Sequence, residues 1–406
     1  MDQGQIAGDQ TSAESRPKVG PFRSIKLRNL LSFGADGQSL DLRSLNVLVG
    51  PNGSGKSNLL EAIALLRGSA TEFAKVFERG GSALDFVWKG APNSVATIDA
   101  LVSVPGRPQP LRHVIGFKAS SQSLLLHEER VENEHPQEGL PKPYFFYQLQ
   151  QGRAVINQRG EGLRTLPPDA VDLDRSIVAQ RRDPETFPEI THLATLYERI
   201  RLYREWTFGR DSVLRSPQKA DLRTDRLEED FSNLGLFLNG LQLKPKAKAK
   251  VLEGLRDLYE GLTNFEVSVK GGTVQVFFVE EDFVIPATRL SDGTVRYLCL
   301  LAILCDPDPP PLIGIEEPEL GLHPDLLPKV ADLLVEASAR TQIIVTTHSD
   351  ILIDALTDHP ESLVITEKHA GQTSMKRLSA PDLSIWLDKY RLGQLWTQGE
   401  LGGTRW

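Results

Sequence analysis

The feature that most constrains this chain of 406 residues is the loop at residues 50–57, whose sequence is GPNGSGKS. It matches the phosphate-binding pattern G-x-x-x-x-G-K-[ST] at every fixed position. A short apolar run at residues 45–49 suits a buried strand, and helix-forming residues with apolar spacing follow at residues 58–66. In this order of strand, loop and helix, backbone N–H groups and a helix N-terminus face an anion. The pattern therefore predicts a nucleotide site.

The residues of this loop have separate roles in the predicted site. Lys56 brings a full positive charge to the phosphates, and the hydroxyl of Ser57 is placed to bind Mg²⁺. Glycine tolerates the backbone angles that turn successive N–H groups towards a phosphate. The predicted nucleotide-binding residues are Asn52, Gly53, Ser54, Gly55, Lys56, Ser57 and Asn58.

Composition limits the classes of protein to which the chain can belong. Hydrophobic residues make up 40% of it and charged residues 25%, which is typical of a soluble globular protein with a sizeable core. No apolar run approaches the roughly twenty residues that cross a bilayer, so we expect no membrane association and a cytoplasmic location. Residues 1–20 are polar and lack the apolar core of a signal peptide, which predicts a disordered tail.

Charge is distributed unevenly along the chain. The formal net charge of −8 disfavours a protein that coats nucleic acid with its whole surface. Basic residues are nevertheless concentrated at residues 199–226 and alternate at residues 244–250, which suits either a solvated helical face or a contact with DNA or a partner protein. These basic residues are Arg199, Arg201, Arg204, Arg210, Arg215, Lys219, Arg223, Arg226, Lys244, Lys246, Lys248 and Lys250.

The two cysteines and the aromatic residues near the C-terminus predict how parts of the chain pack. Cys299 and Cys305 lie in one apolar segment, which favours buried core residues over a disulfide or a metal pair. The last segment is rich in aromatic residues, among them Trp386, Trp396 and Trp406. Two interpretations stay open for this segment, a helix docked on its own core or a surface for a partner protein.

Apolar spacing divides the chain into regions. Before residue 167 it predicts strands that form an antiparallel sheet beside the nucleotide core, and from residue 188 to 261 it becomes helical. Gly271 and Gly272 predict a hairpin turn between two later strands. The predicted strands before the helical insertion are residues 22–30, 95–104, 111–118, 123–131, 143–150 and 153–158. The predicted domains are residues 21–166 and 263–380 as the two halves of the core, 167–262 as the helical insertion and 381–406 as a C-terminal segment.

Three further motifs place polar residues at the ends of predicted elements. Ser291 is a good helix N-cap in the sequence LSDGT, although such a cap is commonplace by itself. An apolar strand at residues 311–317 ends in Glu316 and Glu317, which as neighbours on a strand point to opposite faces. Glu316 can then hold Mg²⁺ beside the phosphate loop, and Glu317 can reach a nucleophilic water at the γ-phosphate. Another buried strand, QIIVTT, places His348 at its C-terminal end, where open α/β sheets keep their ligands.

Taken in order, these motifs resemble those of the ABC-type ATPases of the RecF, SMC and OLD group, in their compact RecF-like AAA form. The shared elements are the phosphate loop, the signature at residues 290–294, the Walker B carboxylates, the following PELGLHP sequence and the switch histidine. The resemblance implies an α/β fold: a P-loop NTPase core with a mixed sheet, a flanking antiparallel β-subdomain and an inserted helical subdomain. It also implies that ATP is the nucleotide, that Glu317 and His348 are catalytic, and that Ser57 and Glu316 bind Mg²⁺.

The resemblance further implies that two heads meet face to face, each ATP lying between one subunit's phosphate loop and the other's signature. Ser291, Asp292 and Gly293 then act in trans, as a helix N-terminus that reaches the γ-phosphate held by the partner. Hydrolysis removes the ligand shared by the two faces, so the homodimer or higher oligomer loosens and any attached domain moves.

Three features differ from the usual pattern of the group. Glu316 replaces the usual Walker B aspartate and is one methylene longer. His323 lies near the position of an aspartate that follows the catalytic glutamate in many relatives. The glutamine of the Q-loop is not assigned, because several glutamines lie in the strand-rich region, including Gln122, Gln148 and Gln150.

These patterns predict an ATP-hydrolysing head that dimerises with nucleotide and controls a DNA-directed process. Since no nuclease motif is visible, we expect a regulatory subunit of an anti-phage defence system, with a nuclease or other effector on a separate chain. The alternative is a RecF-like repair ATPase that binds DNA at gaps or junctions. The ATP-binding subunit of a membrane transporter is disfavoured, because the span between phosphate loop and signature is far longer than such subunits use.

Overall fold

The computed structural model describes residues 20–119, 124–207, 209, 212, 215–258, 261–281, 283–379, 383, 386–387 and 389–402. The predicted disordered tail lies outside the described residues apart from Gly20, and so do Gln122, Arg210 and Trp406. Among the described residues, every helix is too short or too polar to span a bilayer.

The described residues form eighteen strands and eleven α-helices. The strands are β1 (Phe22–Arg28), β2 (Gln38–Asp41), β3 (Leu45–Val49), β4 (Ala96–Val102), β5 (Leu111–Ala119), β6 (Leu124–Asn133), β7 (Phe145–Gln150), β8 (Arg153–Gln158), β9 (Gly162–Leu166), β10 (Arg201–Tyr203), β11 (Gln218–Lys219), β12 (Leu262–Lys270), β13 (Thr273–Glu280), β14 (Phe283–Pro286), β15 (Leu312–Glu316), β16 (Gln342–Thr347), β17 (Leu363–His369) and β18 (Gln372–Arg377). The helices are α1 (Lys56–Ser69), α2 (Phe73–Gly80), α3 (Ala83–Phe86), α4 (Ile177–Gln180), α5 (Pro188–Glu198), α6 (Leu234–Gln242), α7 (Pro245–Leu258), α8 (Asp292–Leu304), α9 (Leu327–Ala337), α10 (Asp350–Ala355) and α11 (Leu392–Gln398).

The central sheet has the strand order β10-β15-β16-β3-β17-β18. Adjacent strands in this sheet are parallel, except that β18 pairs with β17 in the antiparallel sense. Strands β3 and β16 are buried along their whole length, as expected for parallel strands covered on both faces, and this explains their continuous apolar sequences. Glu316 lies opposite Thr346, which lies opposite Leu48, so β15, β16 and β3 end at the same edge. The predicted mixed sheet is confirmed.

The flanking antiparallel sheet has the order β2-β1-β4-β5-β6-β7-β8-β9. Its strands from β4 onwards follow one another along the chain, as hairpin-connected strands do. Alternating polar and apolar residues predicted six of these strands, whereas the short strands β2 and β9 were not predicted. The antiparallel subdomain expected beside the nucleotide core is therefore confirmed.

The predicted helical insertion contains helices α4, α5, α6 and α7 but is interrupted by strands β10 and β11. The helical spacing predicted for residues 188–261 is wrong at residues 201–203, because these residues form β10 and pair with β15 of the central sheet. Leu227 and Phe231 also precede α6, and Phe231 has a left-handed φ of 59°. Pairing with a distant strand overrides the local helical pattern here. The domain boundaries themselves stay predictions.

The remaining packing predictions concern the last third of the chain. Strands β12 and β13 form the predicted hairpin around Gly271 and Gly272. Cys299 and Cys305 are free, buried thiols, as expected. In the C-terminal segment, α11 packs against α10 and its Trp396 is only 3% exposed, which favours the docked helix over a partner surface.

Candidate nucleotide site

The phosphate loop lies between β3 and α1, and its lysine turns back onto the loop. Lys56 Nζ donates hydrogen bonds to the carbonyl oxygens of Gly50, at 2.7 Å, and Pro51, at 3.0 Å. Burial lowers the pKa of Lys56, and the negative charges of Glu317, Glu319 and Glu316 oppose that shift. The lysine is thus already held at the loop, among the carboxylates of a second motif.

A chain of short polar side chains fixes the far side of the loop. Asn58 Nδ2 donates to Ser32 Oγ at 2.6 Å, and Ser32 Oγ lies 2.6 Å from Thr373 Oγ1. Thr373 Oγ1 in turn donates to the carbonyl oxygen of Ser54 at 2.7 Å. Ser32 and Thr373 were not predicted as site residues, because nothing in the local sequence links positions 341 residues apart.

Gly55 leaves no room for a side chain at the start of α1. Its φ is 104°, and a Cβ built on it lies 2.1 Å from Thr373 Oγ1. We expect Gly55→Ala to lower the free energy of unfolding by about 2–4 kcal/mol, because left-handed strain and overpacking add. Gly53→Ala is the matched control, since Gly53 has φ 77° but no atom within 4 Å of a built Cβ. Denaturant unfolding of the nucleotide-free protein tests this, and equal losses for both variants would contradict the packing argument.

The carboxylate at the end of β15 contacts the phosphate loop directly. The hydroxyl of Ser57 donates to Glu316 Oε1, which brings the two predicted Mg²⁺ ligands together. Mg²⁺ usually takes one or two protein oxygens and completes its shell with phosphates and water. A hydroxyl and a carboxylate in contact beside a phosphate loop fit that donor set, despite the additional methylene of Glu316.

The neighbouring glutamate is not part of the strand, contrary to the prediction. β15 ends at Glu316, and Glu317 has a left-handed φ of 46°. Its backbone N–H continues the sheet by donating to the Thr346 carbonyl oxygen at 2.9 Å. The two carboxylates therefore diverge because of a backbone turn, rather than through the alternation of side chains along a strand.

Glu317 lies beside His348, the residue after β16. His348 Nδ1 is 3.4 Å from Glu317 Oε1 and 3.8 Å from Glu319 Oε1. Glu319 also accepts hydrogen bonds from the Thr347 hydroxyl, at 2.6 Å, and from the His348 backbone N–H, at 3.1 Å. Glu319 was missed as a functional residue, although a third carboxylate in the sequence EEPE was a signal for it.

Arg204, directly after β10, is another residue that the sequence did not assign to the site. Its Nε donates to Glu316 Oε2 at 3.0 Å, and its Nη1 lies 2.9 Å from Glu61 Oε1. Gln148 and Gln150, two glutamines considered for the Q-loop, lie in β7 of the flanking sheet. Glu316 thus contacts Arg204 as well as Ser57.

These contacts also change the interpretation of the basic segment at residues 199–226. Arg201 is only 6% exposed, Arg204 is bound by Glu316, and Arg215 Nη2 donates to Asp292 Oδ1 at 2.6 Å. Arginines that make intramolecular contacts do not build a continuous solvated face. The helical basic face considered above is wrong for this part of the segment.

The signature residues lie at the N-terminus of α8. Ser291 Oγ accepts a hydrogen bond from the Thr294 backbone N–H at 3.1 Å, which confirms Ser291 as the N-cap. Ser291 and Asp292 are exposed, and Gly293 lies against the carbonyl oxygen of Gly321. The hydrogen bond from Arg215 holds the pKa of Asp292 below its usual range, so this carboxylate stays charged at neutral pH.

Arg204 and Glu316 also line a cavity of about 790 Å³. Its lining carries more carboxylates than basic groups, including Glu61, Glu205 and Asp230. Because a negative lining repels phosphate, we place the predicted nucleotide at the loop of residues 50–57 and not in this cavity.

The order of the central sheet, the loop after β3 and the carboxylates at the end of β15 define an ABC-type P-loop ATPase head. The chain belongs to the family described as "AAA domain, putative AbiEii toxin, Type IV TA system", whose pattern matches residues 45–354. Its fold is that of SMC heads, and no curated protein matches the chain.

Two solved structures illustrate this likeness. One is an Smc head bound to the C-winged helix domain of ScpA, with a TM-score of 0.55 and 17% identity over 89% of this chain and 99% of that one. The other is the Smc head domain with an extended coiled coil bound to the C-terminal domain of ScpA from Pyrococcus furiosus. Its TM-score is 0.53, and it is 15% identical over 91% of this chain and 99% of that one. At these identities the likeness shows the fold alone.

Proposed function

We propose that this protein hydrolyses ATP in the presence of Mg²⁺ at an interface between two copies of the chain. The observation that carries the proposal is the convergence of four side chains at one edge of the central sheet. Glu316 ends β15, Glu317 follows it, and Lys56 and His348 come after β3 and β16, which lie beside β15 as parallel strands of the same sheet. Open α/β sheets bind their ligands at that edge.

Each of these side chains has a role that its geometry supports. Lys56 and the N-terminus of α1 bind the phosphates, while Ser57 and Glu316 hold Mg²⁺, which neutralises phosphate charge. Glu317 accepts a proton from the attacking water. His348, 3.4 Å from Glu317 Oε1, orients that carboxylate. Multiple-turnover ATPase assays with and without Mg²⁺ test the activity, and an absence of turnover in every oligomeric state would contradict it.

The exposed signature is proposed to bind the ATP of the second copy. Ser291→Arg should leave ATP binding by the monomer intact while preventing ATP-driven dimerisation, because the larger cation fills the space of the incoming phosphate. Ser82→Arg is the matched control, since Ser82 is also an exposed N-cap serine, at the start of α3. Light scattering with ATP and a fluorescent nucleotide titration measure the two effects. If Ser291→Arg dimerises like the control, the signature does not act in trans.

The biological role proposed is that of a regulatory ATPase in a DNA-directed defence system with a separate effector. The family description, which names a putative toxin of a type IV toxin–antitoxin system, supports this context over DNA repair. Purification together with the products of neighbouring genes, followed by ATPase and nuclease assays, tests it. A native complex without an effector would contradict the role, and stimulation of turnover by gapped DNA would favour the RecF-like alternative.

A further inference from the structure

Trp206 and Arg296 together hold the main chain of Glu316, the predicted Mg²⁺ ligand, and Glu317, the predicted catalytic base. The indole Nε1 of Trp206 donates to the carbonyl oxygen of Glu316 at 2.9 Å. Arg296 Nη2 donates to the carbonyl oxygen of Glu317 at 2.5 Å. The guanidinium carbon of Arg296 lies 4.2 Å from the centre of the Trp206 ring, which is a cation–π distance. Two consecutive carbonyl groups are therefore held by one stacked pair of side chains.

This pair acts at a strained point of the backbone. Glu317 has a φ of 46°, a conformation that a residue other than glycine keeps only when its surroundings impose it. Arg296 is fully buried, and although burial lowers its pKa to about 10, the guanidinium stays charged at neutral pH. A buried cation stacked on an aromatic ring has few alternative positions, so it can fix the carbonyl that it binds.

The same two side chains belong to elements that hold the signature. Arg296 lies on α8, whose first residue is Asp292 of the signature. Trp206 lies in the segment that continues to Gly209 and Arg215, and both of these donate hydrogen bonds to Asp292 Oδ1, at 3.3 Å and 2.6 Å. Helix α8 therefore contacts these residues at two places. Asp292 binds Gly209 and Arg215, and Arg296 stacks on Trp206.

We propose that Trp206 and Arg296 are positioning residues that set the Glu317 carboxylate for hydrolysis and tie it to the signature helix of the same chain. Movement of α8 when the signature is engaged then changes the carbonyl contacts of Glu316 and Glu317 directly. The inference rests on the proposed function, because it takes Glu317 as the base and the signature as the contact with a second copy.

Steady-state kinetics of the full chain test this role. For Trp206→Leu we expect kcat to fall by about 10- to 100-fold, which is the scale of losses from a misplaced catalytic group, with KM for ATP changed less than threefold. Trp206→Phe keeps an aromatic ring but loses the N–H donor, so its kcat should fall less than that of Trp206→Leu. Arg296→Lys keeps a positive charge but loses the planar guanidinium group, so its kcat should fall less than that of Arg296→Met. Lys248→Met is the control, because Lys248 lies over the Phe265 ring, 5.9 Å from its centre, on α7.

A second measurement separates positioning from a general loss of structure. If Glu317 is merely misplaced, Trp206→Leu should still bind ATP and should accumulate as a dimer during turnover, since the shared nucleotide is removed more slowly. Wild-type kcat in Trp206→Leu and Arg296→Met, or loss of ATP binding in the milder variants Trp206→Phe and Arg296→Lys, would overturn the inference. Failure of the wild type to dimerise with ATP would instead overturn the proposed function, so the two failures are distinguishable.

Discussion

Lys56→Ala is expected to weaken ATP binding by at least about 100-fold, or about 3 kcal/mol, because it removes the charge-assisted hydrogen bonds to the phosphates. The structure adds a reason for a large effect. Lys56 Nζ is already bound to the carbonyl oxygens of Gly50 and Pro51, so little side-chain entropy is lost when a phosphate binds. A calorimetric or fluorescent-nucleotide titration measures the loss.

Two comparisons make this result interpretable. Lys56→Met keeps the length of the aliphatic chain without the charge, so it should bind ATP as weakly as Lys56→Ala. Lys75→Ala removes an exposed lysine of α2 that pairs with Glu72, the N-cap residue of that helix, and it should bind ATP like the wild type. If Lys56→Met keeps wild-type affinity, the positive charge is not what binds the phosphates and the nucleotide site is wrong.

Glu317→Gln is expected to lower kcat by about 10²- to 10⁴-fold, the usual contribution of a positioned general base. The amide keeps the size of the side chain and the backbone at φ 46°, so ATP binding should persist. Because hydrolysis is what removes the shared nucleotide, the variant should accumulate as an ATP-bound dimer. Phosphate release and light scattering under identical conditions measure both effects.

The control for this variant is Glu336→Gln, which changes a carboxylate that is 55% exposed and pairs with Lys250 and Arg340. It should turn over ATP and dimerise like the wild type. If wild type and Glu317→Gln dimerise equally when turnover is slow, Glu317 is not the residue that ends the dimeric state. His348, its neighbour at 3.4 Å, would then be the next residue to substitute.

The sequence predicted strands and helices well where buried and exposed residues repeat regularly along the chain. The continuous apolar strands β3, β15 and β16 and the alternating strands of the flanking sheet are such cases, and so is Ser291 as an N-cap. Residues 200–203 show the opposite case. Their apolar spacing suits a helix, but three of them become an edge strand because β15 offers a pairing partner. The spacing of apolar residues at 200–203 does not reveal that β15 lies beside them.

The site divides in the same way between sequence and tertiary structure. The sequence by itself predicted the phosphate loop, Glu316 and Glu317, His348 and the motif at Ser291, because each lies in a short run of residues that can be recognised without the rest of the chain. Only the tertiary structure decided that Arg204 binds Glu316 across 112 positions, that Trp206 and Arg296 hold the carbonyl groups of the carboxylates, and that Glu317 turns out of its strand. Those contacts join residues far apart in the chain, and they form because the parallel strands of the central sheet end at one edge.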